Sequence, residues 1–377
     1  MKKRILILTI AIMLVLTGCA KGSKPLPKHN YEESATFTES SLVYTSANEA
    51  NFDVSQLYKN KYEHLELNDN LRINPITGID SMSLRMSSDD QIKDVKAYIE
   101  CLSGKVIDSD DLVVSRDYAG QFYSLNPQSG FPYFLIYESG TTVWFDNNYA
   151  QNCFFEDEIS ERVFVSNDYE DKEYKLKDCN MKLSKAIEIA QAYSDKLNEY
   201  GLPKLIPYEV RIKKIGNNYA FDIEMSQSVD GIPIRSAYNT FSGDTGNDTH
   251  FSGKLINYNN NYDDTAKIYG YSIIICTSSG VECFRNNENI LYLNDRETID
   301  KIIDIQSSLK YIDENLSEES YYKVEYIGLE YKVYELDSDG VYPLQPMWTI
   351  SLYSPKEDKY YYALVDCETG DFSFYGQ

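Results

Sequence analysis

Histidine is scarce in this sequence, and so are the residue patterns that usually carry chemistry. The 377 residues contain three histidines, at positions 29, 64 and 250, and no two of them are neighbours. So few histidines make a histidine-based metal site or a Ser-His-Asp triad improbable. The patterns HExxH, GxSxG, the P-loop and the dinucleotide-binding glycine motif are absent as well. We expect no metal site, no cofactor, no catalytic residue and a protein that is not an enzyme.

Long hydrophobic runs are missing after the N-terminus. The apolar run at 5–16 follows a basic start and is too short for a bilayer core of about 30 Å, which needs about 20 residues. It fits the export signals of secreted proteins. Leu16-Thr17-Gly18-Cys19 resembles the bacterial lipobox, in which the cysteine receives a diacylglycerol and the chain is cleaved before it. We expect 1–18 to be a lipoprotein signal peptide and Cys19 to be the lipidated residue; the alternative is an ordinary secretory signal.

Basic residues are also few, and this restricts the partners. The formal net charge is −23, from 36 Lys and Arg against 59 Asp and Glu. Nucleic acid is excluded as an expected partner because binding to phosphates needs a basic surface. Two acyl chains on Cys19 would instead attach the chain to the membrane. Residues 19–50, rich in Ser, Thr, Lys and Pro, would form a flexible tether on the outer face of the cytoplasmic membrane.

The cysteines follow no metal-binding spacing. After Cys19 there are six more, and no CxxC pair occurs among them. In "CTSSGVEC" a two-residue turn at 279–280 would place Cys276 directly opposite Cys283, within the distance that a disulfide spans. The same segment is also compatible with two buried thiols, and the sequence leaves both interpretations open.

Hydrophobic periodicity predicts helices at 87–104, 180–203 and 294–312. Between and after these helices the period changes to two, which is typical of strands. The predicted strands are antiparallel hairpins, listed by range as 131–147, 206–229, 269–284 and the three-stranded 347–376. A change of phase in 321–336 predicts a β-bulge near Gly328.

Two turns and one strand resemble a known group of modules. They are Asp230-Gly231-Ile232-Pro233, the Asp366–Gly370 turn "DCETG", and "YPLQPMWTISL" at 342–352. Together with the central helix they are similar to PepSY-type modules, to the YycH and YycI regulatory proteins, and to uncharacterised clostridial (Firmicutes) envelope lipoproteins. The resemblance covers about half of the chain and concerns structural turns. It implies a helix-plus-strands fold rather than a particular activity.

These observations predict an α+β fold in which each antiparallel sheet is covered by a helix. The expected organisation is an N-terminal α+β domain at 51–166 and a C-terminal region at 180–377. The resemblance divides the C-terminal region into two PepSY-like modules at 180–258 and 265–377.

The expected function is that of a lipid-anchored, non-enzymatic binding or regulatory protein of the envelope. Its expected partner is an envelope protein, and the sequence does not indicate which small ligand, if any, it binds. The candidate recognition surface is Asp230, Pro233, Tyr342 and Trp348. One alternative is a solute- or glycan-binding lipoprotein, suggested by 34 tyrosines. Another is a cell-wall hydrolase with two carboxylates in a cleft.

Overall fold

The fold was analysed in a computed structural model of the chain. It describes residues 43–47, 54–73, 78–86, 100–101, 112–117, 120–125, 133–137, 142–145, 158–234, 270–286, 291–333 and 341–376. All of these residues belong to one compact unit, 39–377. The predicted signal peptide, Cys19, nearly all of the tether and most of the helix predicted at 87–104 lie outside the described residues.

The described residues are mostly in strands. The strands, in chain order, are β1 Tyr44–Ser46, β2 Leu65–Leu67, β3 Asp80–Met86, β4 Leu112–Asp117, β5 Gly120–Leu125, β6 Tyr133–Tyr137, β7 Thr142–Phe145, β8 Glu158–Phe164, β9 Glu173–Lys175, β10 Asn180–Lys182, β11 Leu205–Ile215, β12 Asn218–Val229, β13 Ile232–Pro233, β14 Gly270–Ile275, β15 Cys283–Asn286, β16 Leu291–Thr298, β17 Lys301–Ile303, β18 Tyr322–Val333, β19 Tyr342–Ser354, β20 Lys359–Asp366 and β21 Phe372–Gly376. The helices are α1 Val54–Leu57, α2 Leu183–Glu199 and α3 Ile305–Asn315.

Two large sheets contain most of these strands. Sheet 1 has ten strands in the order β4-β5-β6-β7-β15-β14-β12-β11-β8, with β13 paired to β12. Sheet 2 has seven, in the order β16-β3-β19-β18-β2, with β20 beside β19 and β21 beside β20. Neighbouring strands are antiparallel, apart from β2, which runs parallel to β18.

Helix α2 covers one face of sheet 1. Its buried stripe includes Leu183, Ala186, Ala190 and Leu197, at the spacing of one helix face. This stripe belongs to one hydrophobic core with apolar residues at alternate positions of β11, β12, β14 and β15, namely Val210, Ile212, Phe221, Ile223, Ile273, Ile275 and Phe284. Burying each large apolar side chain contributes about 1.5–3 kcal/mol.

Helix α3 packs on one face of sheet 2 in a second core. Asp304 caps the helix by accepting the N–H of Ser307 at 3.0 Å. The apolar face of α3 lies in one cluster with inward residues of β18 to β21, among them Ile305, Leu309, Ile312, Ile327, Trp348, Ile350, Leu352 and Val365. The opposite faces of both sheets, away from the two helices, carry the polar residues described below.

The expected α+β class is wrong, because the protein is mainly β. The prediction was an α+β fold with a helix on each antiparallel sheet, but strands dominate the described residues and 294–312 is only partly helical. Strand β16 pairs with β3 and strand β17 pairs with β1, so that the helix begins only at Ile305. The isoleucines at 299, 302 and 303, which fit a helix face, are buried without one. Strand pairing with distant parts of the chain therefore outweighed the helical spacing of the apolar residues in this segment.

Strands from both predicted domains share the two large sheets. Strand β8 pairs with β11 and β7 pairs with β15 in sheet 1. Strands β2 and β3 pair with β18 and β19 in sheet 2. The ranges 51–166 and 180–377 therefore contribute to common sheets in the described part of the chain.

Candidate functional site

The face of sheet 1 that points away from α2 is charged. Successive residues of a strand point to opposite faces. On β11 the residues that alternate with the core positions are Glu209, Arg211 and Lys213, and on β12 they are Asp222 and Glu224. The same alternation that forms the core beneath α2 thus gathers charged groups on the other face.

Arg211 lies at the centre of the charged face. Its Nε donates to Glu209 Oε1 at 3.1 Å, and its Nη1 is 3.0 Å from Glu224 Oε1. Arg162 of β8 approaches the same oxygen of Glu209, with 3.7 Å between Nη1 and Oε1. Glu209 is fully buried. Two guanidinium groups therefore balance one carboxylate that water does not reach.

Asp222 forms the second charged group of this face. Lys213 Nζ lies 2.7 Å from its Oδ2, and Ser272 Oγ donates to its Oδ1 at 2.6 Å. Asp222 is also buried. Both of its carboxylate oxygens therefore have a hydrogen-bonding partner, as buried polar groups require.

Sheet 2 has a polar face of its own. Tyr326 Oη and Thr349 Oγ1 each donate to the buried carboxylate of Glu330 at 2.8 Å. The Tyr326 ring lies over Gly328, where an added Cβ would be only 2.5 Å from Tyr326 Cζ. Glycine is therefore required at 328 for this hydroxyl to reach Glu330. The β-bulge predicted near Gly328 is found between Val324 and Tyr326.

The polar faces of the two sheets are in contact. Phe164 of β8 stacks on Tyr326 with ring centroids 4.9 Å apart, and Tyr208 meets the same ring at 5.2 Å. Arg162 Cζ lies 4.6 Å above the ring of Tyr360. This contact is a cation–π interaction. We define the polar layer as this set: Arg162, Glu209, Arg211, Lys213, Asp222, Glu224, Tyr326, Glu330, Thr349 and Tyr360.

The surroundings in the polar layer shift the pKa values of two carboxyl groups in opposite directions. Burial raises the pKa of Glu224 to about 7; Arg211 opposes this rise, whereas Asp222 and Glu209 add to it. Burial also acts to raise the pKa of Asp222, but Lys213 and Arg285 outweigh burial and the pKa is lowered. At neutral pH, Asp222 is ionised and Glu224 is near its midpoint.

This arrangement provides cations for an anionic group, carboxyl groups for a hydroxyl or amine, and the partly exposed aromatic ring of Tyr360. Arg guanidinium groups bind carboxylates and phosphates in a bidentate manner. Within the described residues, no group of three or more His, Cys, Asp or Glu side chains is placed to hold a metal ion. No helix in the described part is long and apolar enough to cross a membrane.

Of the four residues of the candidate recognition surface, two are buried and two lie at or near the surface. Trp348 is fully buried, and its Nε1 donates to the carbonyl oxygen of Ile303 at 2.7 Å; Tyr342 is 6% exposed. Both side chains therefore belong to the interior and cannot form a surface. Asp230 is exposed in a left-handed turn, next to partly buried Pro233.

The two cysteines of the 269–284 hairpin are not opposite each other. Cys283 pairs with Ile274, two residues before the position that a turn at 279–280 requires. The structure contains separate thiols, and Cys276 Sγ donates to the buried Glu282 Oε2 at 2.5 Å. The wider loop accommodates Glu282, which also accepts the N–H of Cys276 at 2.6 Å.

Sequence reasoning missed the polar layer. Its signal is the alternation of charged and apolar residues in 209–213 and 222–224. Such alternation is typical of a strand with one face in solvent. The structure instead covers part of this face with sheet 2, which contacts Arg162, Phe164 and Tyr208.

Comparisons with known proteins support the fold alone. No protein-family model matches the chain, and no curated protein matches it. Among solved structures it is similar to an uncharacterized protein from Eubacterium rectale, with a TM-score of 0.50 and 16% sequence identity, over 81% of this chain and 91% of that chain. The resemblance to PepSY-type and clostridial lipoproteins stays a prediction.

Proposed function

We propose that this chain is a lipid-anchored protein of the outer face of the cytoplasmic membrane that works by binding, without catalysis, at the cell envelope. The polar layer is the observation that carries this proposal. Replacing buried ion pairs by apolar residues is often neutral or stabilising. Folding therefore gives little reason to place four carboxyl groups and three cations in the polar layer, whereas recognition of a polar ligand does.

The attachment rests on the lipobox at Cys19, and the resemblance to clostridial lipoproteins agrees with it. Diacylglycerol on Cys19 would hold the protein at the membrane, where an envelope protein or a solute is within reach. The resemblance to regulatory modules favours an envelope protein partner, and the polar layer favours a small polar ligand.

A glycan is the second candidate ligand, because the polar layer also contains aromatic rings. Tyr360 is only partly buried and lies beneath Arg162, and sugar sites combine flat rings with charged hydrogen-bonding groups. A cell-wall hydrolase is a third candidate. In it Glu224 would be the acid and Asp222 the ionised partner, since their pKa values are shifted apart.

The anchor is tested by fractionating cells that express the full chain with Cys19 or with Cys19→Ala. We expect wild-type protein in the membrane fraction, labelled by palmitate, and we expect the variant to lose the label. Equal labelling of the two forms would contradict the proposal.

The binding function is tested with the purified protein and a panel of muropeptides, oligosaccharides and small acids. A ligand at 100 times its Kd stabilises the fold by about 2.7 kcal/mol, which appears as a higher Tm. Glu224→Gln serves as a hydrolase control, because only a catalytic acid would make product release from cell wall depend on this residue. Release of wall fragments by the wild type but not by this variant would contradict a non-enzymatic function.

A further inference from the structure

The charges of sheet 1 are separated by depth. The side chains of Glu209 and Asp222 are 0% and 4% exposed. Those of Arg211, Lys213 and Glu224 are 15%, 19% and 17% exposed. Arg211, Lys213 and Glu224 thus lie nearer to solvent than the two remaining carboxylates, although the Nη2 atom of Arg211 is itself buried. A small anion entering from solvent would meet Arg211, Lys213 and Glu224 before the two buried carboxylates.

The guanidinium of Arg211 is held in a fixed orientation from behind. Its Nε donates to the buried Glu209, and Nη1 faces the more exposed Glu224. A ligand can take the place of Glu224 at Nη1 while the bond to Glu209 keeps the planar fork in position. Such preorganisation lowers the cost of binding.

We propose that Arg211 and Lys213 bind a small anion, either a carboxylate or a tetrahedral oxyanion, in exchange for Glu224, which takes up one proton from solvent as it leaves Arg211. This inference rests on the proposed binding function and names the chemical class of the ligand. No covalent bond forms or breaks apart from the O–H bond on the Glu224 carboxyl group.

The groups around Glu224 favour this exchange. Arg211 and Glu209 act on it from β11, Asp222 from its own strand, and Arg285 from β15. The two carboxylates raise its pKa, and loss of the Arg211 contact to a ligand would raise it further. Because Glu224 is near its midpoint at pH 7, protonating it at pH 6 weakens its contact with Arg211 Nη1. Affinity for an anion should therefore fall about tenfold from pH 6 to pH 8.

The experiment is isothermal titration calorimetry of the purified full chain with sulfate and, separately, with succinate, at ionic strength held constant with chloride. Sulfate does not titrate between pH 6 and pH 8, so that any proton taken up belongs to the protein. We expect saturable binding of at least one anion, about tenfold tighter at pH 6. Titration at pH 8 in two buffers with different heats of ionisation should give an uptake close to one proton. Binding of sulfate but not succinate would identify an oxyanion site. Binding of succinate but not sulfate would identify a carboxylate site.

The decisive variant is Glu224→Gln, which mimics the protonated side chain. It should bind at pH 8 as tightly as the wild type binds at pH 6, without proton uptake. The matched control is Glu188→Gln on the exposed face of α2, whose side chain is 66% exposed; it should keep the wild-type pH dependence.

Absence of saturable binding of both anions at pH 6 would overturn the proposal, as would affinity that does not depend on pH. If Glu224→Gln does not fold, the proton uptake of the wild type alone decides. Saturable binding of a neutral sugar without any anion binding would leave the proposed function intact and overturn this inference.

Discussion

Asp313 of α3 provides the sharpest test of how the helix is joined to sheet 2. Its Oδ1 accepts the N–H groups of His64 and Leu65 at 2.7 and 3.1 Å, and its Oδ2 accepts that of Glu63 at 2.9 Å. One carboxylate therefore holds the chain that leads into β2. Asp313→Ala would leave all three donors without this acceptor.

The expected cost follows from the burial of each donor. The N–H of Leu65 is buried, and a buried donor without an acceptor costs about 1–3 kcal/mol. Those of Glu63 and His64 are nearer to solvent, so that water replaces the carboxylate at a cost of about 0.5–1 kcal/mol each. We expect Asp313→Ala to lower the free energy of unfolding by about 3 kcal/mol, a large share of the 5–15 kcal/mol typical of proteins. Asp313→Asn retains one acceptor and should lose about half as much.

The assay is urea unfolding followed by tryptophan fluorescence, because the buried Trp348 lies in the same core as Leu65. The control is Glu314→Ala, whose exposed side chain forms only a surface pair with Lys310 at 3.6 Å. It should change stability by less than about 0.5 kcal/mol. An Asp313→Ala protein as stable as this control would refute the reasoning.

Three further variants test the interior. Gly328→Ala should destabilise the fold by about 1–3 kcal/mol, because its Cβ overlaps the Tyr326 ring; the urea midpoint should recover in part when Tyr326→Leu is added, and no recovery would contradict the overlap. Trp348→Phe should cost about 1–3 kcal/mol in urea unfolding followed by circular dichroism, since the buried carbonyl of Ile303 loses its donor; an unchanged midpoint would contradict this. Because the pKa of Glu224 is raised in the fold, its contribution to stability is present below about pH 4.5 and is lost as the pH rises to about 7; Glu224→Gln should therefore gain about 3 kcal/mol relative to wild type over that range, and a constant difference would contradict it.

Much of the local structure could be predicted from the sequence. The helix predicted at 180–203 is confirmed as α2, and the hairpin at 206–229 turns at Gly216-Asn217 with Ile215 opposite Asn218. The three C-terminal strands are confirmed as well. In each of these the signal is local: a one-sided apolar stripe that ends at Gly201, or turn residues between alternating runs.

The remaining features depend on contacts between distant parts of the chain. Residues 291–303 became strands because β3 and β1, more than 200 residues earlier, supply the partners. The burial of Tyr342 and Trp348 follows from the position of β19 between its neighbours in sheet 2. The contact of Arg162, Phe164 and Tyr208 with sheet 2 was hidden for the same reason, since it joins residues that are far apart in the chain.

A crystal of the protein soaked in sulfate at pH 6 tests the central claim most directly. We expect sulfate within hydrogen-bonding distance of Arg211 Nη1 and Lys213 Nζ, with the Glu224 carboxyl group turned away and Arg211 still bonded to Glu209. Sulfate bound only elsewhere, with the Arg211–Glu224 pair unchanged, would contradict the assignment of the polar layer as a binding site.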